Sequence, residues 1–113
     1  MDALLVASGA ACGALSRKAV SDAAAKANLQ PWGTCAVNVV GSAFLGSLAA
    51  QPPRTSLFFG VGFCGAFTTF STFALDVVKL ASSPPTALAY LVANNALSVG
   101  VCYLGFRWAK KPR

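Results

Sequence analysis

An all-α integral membrane protein of four transmembrane helices is predicted by three observations. Hydrophobic residues fill 56% of the 113 positions and charged residues only 11%, against about 25% charged in an ordinary soluble domain. The apolar residues gather into four runs of roughly 18–25 residues each, the length a helix needs to cross a bilayer core. Polar or proline-bearing links separate the runs. Mean hydropathy is +0.62, and the length leaves room for one domain, 1–113.

The first span runs from about Ala3 to Val20 and is followed by the polar, Ala-rich link SDAAAKANLQP. Asp2 stands where a signal peptide would carry basic residues, so the segment reads as a span and not as a cleaved leader. Gly9 and Gly13 form a GxxxG pair, and Arg17 continues the same face one turn on. The second span runs from Trp32 to Ala50 and stops at Gln51-Pro52-Pro53-Arg54. Thr34, Asn38 and Ser42 recur at i, i+4 and i+8, hence on one face, and Ser42 with Gly46 repeats the small-residue spacing. An asparagine at mid-bilayer is costly without partners. Asn38 therefore either joins two helices by hydrogen bonds or lines a polar pathway.

The third span, from Ser56 to Leu80, is predicted to be broken. Gly65 to Phe73 reads GAFTTFSTF, and Thr and Ser hydroxyls compete for backbone groups and weaken helix regularity. Irregular backbone at membrane depth is tolerated only where it is buried or lines a wet cavity. Phe67, Phe70 and Phe73 recur every three residues and would form one aromatic edge on a continuous helix. A ring edge is electropositive and suits a small anion without trapping it. Asp76, one turn further, is either functional or paired with Arg17 or Lys79. Gly60 to Gly65 matches GxGxxG, but the chain has no room for a βαβ unit and no acid about 20 residues on, so a dinucleotide site is rejected. The fourth span, Thr86 to Trp108, carries a second polar stripe, Tyr90, Asn94 and Ser98, with Asn95 beside it. Two polar stripes in so apolar a chain favour a conduit.

Composition excludes much else. The chain has no His and three acids, Asp2, Asp22 and Asp76. A nucleophile–base pair or a carboxylate metal cage cannot be assembled from these, so no enzyme is expected. The four cysteines lie in apolar stretches without CxxC spacing and read as small hydrophobes. The net charge of +6 is scattered over segment ends, as in membrane proteins, and indicates no nucleic acid. Four spans place both termini on one side with Arg54, Arg107, Lys110, Lys111 and Arg113, and leave Arg17, Lys18, Lys26 and Lys79 on the other. Five against four does not choose an orientation. Either both orientations insert, which makes an antiparallel two-fold dimer natural, or one wins through effects other than charge count.

These residues resemble the Fluc/CrcB family of fluoride channels over nearly the whole chain. The most specific element is GAFTTFSTF at Gly65 to Phe73; Asn38 in VNVVG, the Gly9/Gly13/Arg17 pattern, and Tyr90, Ser98 and Gly105 also fit. Asp76 stands where the family signature usually continues to glutamate, and Asn94 where it often has serine. The resemblance implies an antiparallel, dual-topology homodimer in the cell membrane, exporting fluoride passively through two pores. It implies that Phe70 and Phe73 contact fluoride and that Asn38 donates a hydrogen bond to it. Thr69, Thr72, Tyr90, Asn94 and Ser98 then lie along or near the polar track, with Arg17 making the entrance attractive to anions. A structural sodium ion is implied on the dimer axis, held by the backbone carbonyls of Gly65 and Thr68 from both subunits. Two other readings share the length and span count. A small multidrug transporter needs a membrane-embedded acid in its first helix, which is lacking here beyond Asp2. A non-conducting or obligate heterodimeric partner subunit of the same family would have a fixed orientation, against which the even charge split argues.

Overall fold

The computed structural model describes residues 1–112, which are helical apart from short turns; Arg113, the last member of the basic tail, lies outside the described residues. Helix α1 spans Asp2–Lys26 and so runs on through most of the Ala-rich segment read as a link. Alanine has the highest helix propensity, and Lys18 grips Asp22 one turn on at 2.8 Å. The helix stops where Asn28 turns left-handed (φ 56°), with Leu29 N–H on the Ala24 carbonyl at 2.8 Å and Asn28 N–H on that of Ala25 at 3.2 Å. That is a Schellman closure, and asparagine tolerates its left-handed position better than most residues.

Helix α2 covers Trp32–Ser47, 16 residues, shorter than the predicted span to Ala50. Its last turns tighten to i→i−3 bonds, Leu48 N–H to Leu45 O and Ala49 N–H to Gly46 O, while the Ser47 hydroxyl takes the Phe44 carbonyl at 2.6 Å. The third span is composite. A single turn, α3 (Pro53–Thr55), leads into a π-helical stretch, Ser56–Cys64, then α4 (Gly65–Phe67), a break at Thr68–Thr69, α5 (Phe70–Lys79) and a 3₁₀ turn (Leu80–Ser82). Helix α6 occupies Pro84–Ala109. The paired prolines do more than stop a helix: Pro53 and Pro84 each open the next one at its first position, where a missing N–H costs nothing.

Three stretches are long and apolar enough to cross a membrane: Asp2–Lys26, Pro53–Ser82 and Pro84–Ala109. The distribution of side chains agrees. Leu4, Leu15, Val61, Val99 and Leu104 are all more than 60% exposed, while Thr34, Asn38, Thr69 and Asn94 are buried. Apolar outside and polar inside is the arrangement a bilayer favours. The chain is a multi-pass membrane protein.

Helix α1 packs along the π-helical stretch, and α2 along α6. Both seams are made by glycine. A Cβ at Gly9 would strike the Phe58 carbonyl, and one at Gly13 that of Phe63. On the other seam Gly46 lies against the Cys102 carbonyl and Gly105 against that of Ala43, each helix supplying one glycine to the other. Backbones approach that closely only where a side chain is missing.

A clamped helix break as the candidate functional site

Two consecutive threonines open the third span. Thr68 (φ −83°, ψ 158°) and Thr69 (φ −151°, ψ 123°) are extended, so the helix ladder is interrupted at the depth of the buried polar residues. Thr69 caps α5, its hydroxyl accepting from Thr72 N–H at 3.1 Å. The Thr68 hydroxyl turns back to the Cys64 carbonyl at 2.9 Å.

The exposed backbone of the break is held by one side chain. Thr69 N–H donates to Asn38 Oδ1 at 2.7 Å, and Asn38 Nδ2 donates to the Thr69 carbonyl at 3.0 Å. An N–H can only donate and a carbonyl only accept, so this pair fixes which way the Asn38 amide faces. The second Nδ2 hydrogen goes to Asn94 Oδ1 at 3.0 Å. Asn94 is thereby oriented too, with its oxygen toward Asn38 and its own NH₂ directed elsewhere. Of the two roles open to Asn38, the bonds show the interhelical one: it joins α2 to the break and to α6.

The break also withdraws backbone donors from several carbonyls, those of Gly65 and Thr68 among them. In a continuous helix Thr69 N–H would close on Gly65 and Thr72 N–H on Thr68. Here the first goes to Asn38 and the second to the Thr69 hydroxyl. The Gly65 and Thr68 carbonyls are left without those backbone donors.

Two clefts with polar residues in their walls share Thr69. One, of about 210 Å³, is lined by Arg17, Ser21, Thr34, Thr69 and Thr72, among others. The other, of about 200 Å³, is lined by Asn38, Ser42, Thr69, Phe70, Asn94 and Ser98, with Thr68 at its edge. At the mouth of the first, Lys18 is paired with Asp22, whereas Arg17 makes no ion pair among the described residues. In the second, Ser98 Oγ is buried without a partner. Phe70 is 76% exposed on this groove.

The remaining sequence-predicted residues lie behind the break. Phe73 and Tyr90 are buried with Cys35. The Phe73 ring centroid is 5.6 Å from that of Phe70 and 5.4 Å from that of Tyr90. Trp32 closes on Tyr90 edge-to-face at 5.5 Å. Asp76 pairs with neither Arg17 nor Lys79; it accepts the Tyr90 hydroxyl at 3.0 Å. Phe67 does not continue the edge of Phe70 and Phe73, because the break rotates α5 away, and it stacks on Phe63 at 5.4 Å. Asn95 faces outward and bonds its own turn at Leu91. Ser42 and Thr34 belong to the clefts although only Asn38 of their stripe was singled out; their shared i, i+4, i+8 face was the available signal.

The fold and site define a polytopic helical membrane protein whose polar centre is a clamped helix break. The family model described as CrcB-like protein, Camphor Resistance (CrcB), matches residues 4–106. The chain is 47% identical over 102 residues to "Fluoride-specific ion channel FluC 1" of Halobacterium salinarum, covering 88% of this chain and 85% of that one. It is 42% identical over 111 residues to "Fluoride-specific ion channel FluC 1" of Thermobifida fusca, covering 93% and 92%. It is 36% identical over 115 residues to "Fluoride-specific ion channel FluC" of Nitrobacter winogradskyi, covering 92% and 91%. The chain belongs to the CrcB family.

Proposed function

We propose that the protein is a fluoride-selective channel that lets fluoride leave the cell passively, and that it works as an antiparallel homodimer inserted in both orientations. The observation that carries the reading is that two clefts with polar walls share Thr69, since joined there they would make a polar track through an otherwise apolar chain. The relatives' names supply the ion.

Arg17, the unpaired cation at the mouth, draws anions to the first cleft. Thr72, Thr69, Asn94 and Ser98 offer polar contacts along the track, and the Asn94 amide hydrogens and the Ser98 hydroxyl are among the donors that no internal bond takes up. Both hydrogens of the Asn38 amide are engaged. A fluoride that takes a hydrogen bond from Asn38 must therefore displace Asn94 or the Thr69 carbonyl. Phe70 lines the groove, where its electropositive ring edge would meet the anion, with Phe73 and Tyr90 behind it. Oxygen donors without their helical partners suit a hard cation, and the Gly65 and Thr68 carbonyls would hold a sodium ion shared between two copies. That ion would supply fixed positive charge at the dimer axis.

The test is efflux from liposomes loaded with fluoride and chloride, followed with ion-selective electrodes. Rapid fluoride release with negligible chloride release, in the absence of a proton gradient, is expected. No fluoride release from a folded dimer refutes the homodimeric channel. Activity restored by a second family member would then favour the partner-subunit reading, and proton-coupled export of organic cations the multidrug reading.

A further inference from the structure

The carboxyl-terminal end of α6 concentrates charge that no ion pair among the described residues neutralises. Arg107, Lys110 and Lys111 are exposed there. The chain has three acids; Asp22 is taken by Lys18 and Asp76 by Tyr90, Asp2 opens α1 without an ion pair, and Lys18–Asp22 is the only ion pair among the described residues. A cleft of about 540 Å³ is lined by Leu104, Phe106, Arg107, Trp108, Lys110 and Lys111, with Pro112 at its edge. A second, of about 280 Å³, shares Trp108 and Lys111 and reaches Ser47, the last residue of α2, and Gln51 beyond it. Neither contains an acid. The helix dipole places only about half a negative charge at this end, which three full positive charges outweigh.

The lining is amphipathic along the membrane normal. Helix α6 has 26 residues, about 39 Å at 1.5 Å per residue, and a hydrocarbon core is about 30 Å thick. Its last turn therefore reaches headgroup depth, where Trp is favoured. Leu104 and Phe106 form the apolar stem of the cleft and the cations its rim. Arg107 lies over the Tyr103 ring (6.0 Å to the centroid) and Lys110 over that of Phe106 (5.9 Å), so both cationic groups are placed by aromatic neighbours rather than left to wander.

We propose that this end of α6 is a binding site for an anionic phospholipid, with Arg107, Lys110 and Lys111 on the phosphodiester and Leu104, Phe106 and Trp108 against the glycerol and upper acyl region. A free aqueous anion would use the rim alone and leave the apolar stem without purpose. The proposal concerns a region apart from the clefts at Thr69, and its test does not depend on fluoride flux.

The test uses the full chain in phosphatidylcholine vesicles. Trp32→Phe leaves Trp108 as the single fluorophore, since the chain has two Trp; Trp108→Phe reads the Trp32 background. A few mole per cent of dibrominated phosphatidylglycerol, or of dibrominated phosphatidylcholine, is added as quencher. Phosphatidylglycerol is expected to quench Trp108 with an apparent affinity at least about fivefold higher, the ratio that one charge contact near the surface supplies. Rising salt should shrink the ratio. In the triple replacement Arg107→Gln, Lys110→Gln, Lys111→Gln the ratio should fall toward one, with helicity retained by circular dichroism. Lys79→Gln, at the last residue of α5 and off α6 altogether, should leave it unchanged. Equal quenching by the two lipids in the parent chain, or a preference that survives either salt or the triple replacement, overturns the proposal. Displacement of the brominated phosphatidylglycerol by glycerol phosphate in the buffer would also overturn it, by assigning the site to an aqueous anion.

Discussion

The two halves of the third span are held in place by opposite means. The upstream half, Ser56–Cys64, is seated on α1 by what the sequence omits: Gly9 and Gly13 have no Cβ, so the Phe58 and Phe63 carbonyls rest on their backbone. The downstream half, α5, is hung on what the sequence adds: the Asn38 amide on Thr69 and the Thr69 hydroxyl on Thr72. The first anchor is steric and tolerates no added atom. The second is polar and depends on each donor meeting its acceptor. Substitutions should therefore fail differently in the two halves, and the break is where failure reaches permeation.

The largest expected effect is at Asn38. Asn38→Ala orphans Thr69 N–H, the Thr69 carbonyl and the Asn94 oxygen, each buried group costing about 1–3 kcal/mol. Thermal unfolding in detergent should register a loss of several kcal/mol together with lost fluoride efflux. An unchanged melting curve would break the comparison, by showing that the clamp does not hold the downstream half. Gly9→Ala comes next, at about 1–3 kcal/mol, because the Phe58 backbone must retreat. Its control is Gly100→Ala, where a Cβ meets nothing within 4 Å and the gain in helix propensity is worth up to ~1 kcal/mol. If the two variants melt alike, the glycine seam is not the steric anchor described.

Phe70→Ile sharpens the functional side. The ring is 76% exposed in one copy, so its removal should leave the stability of a single folded chain within about 0.5 kcal/mol, while fluoride flux drops by an order of magnitude. Equal flux would remove the aromatic edge from the mechanism. The smallest combined effect on stability and flux is expected of Asp76→Asn. Asp76→Asn keeps an oxygen for the Tyr90 hydroxyl and should cost less than about 1 kcal/mol, whereas Asp76→Ala leaves a buried hydroxyl unpaired at about 1–3 kcal/mol. If the two replacements melt alike, the Tyr90 bond contributes nothing.

The four segments, the interrupted third span and the two asparagine stripes were legible in the sequence because each rests on local composition or on a helical repeat. What local pattern could not carry was the partner of each polar group. Asp76 has cations within reach along the chain, yet its bond is to Tyr90 on another helix. The Phe67, Phe70 and Phe73 repeat assumes an unbroken helix, and the break predicted two residues away cancels it. The end of α1 was misplaced because Ser21, Asp22 and Lys26 look like a link by polarity, whereas alanine content and the Lys18–Asp22 bridge decide for helix. Of the residues expected on the anion track, Tyr90 and Phe73 are enclosed and reach the groove only through Phe70.

The side-chain clamp also decouples isotope exchange at the break from the melting of its flanks. The Thr69 amide proton is held by α2 and that of Thr72 by a neighbouring hydroxyl, not by the carbonyl one turn back. Fraying of α4 thus leaves the Thr69 amide slow to take up deuterium, and a probe placed there reports the α2 contact, not the helix in which it lies.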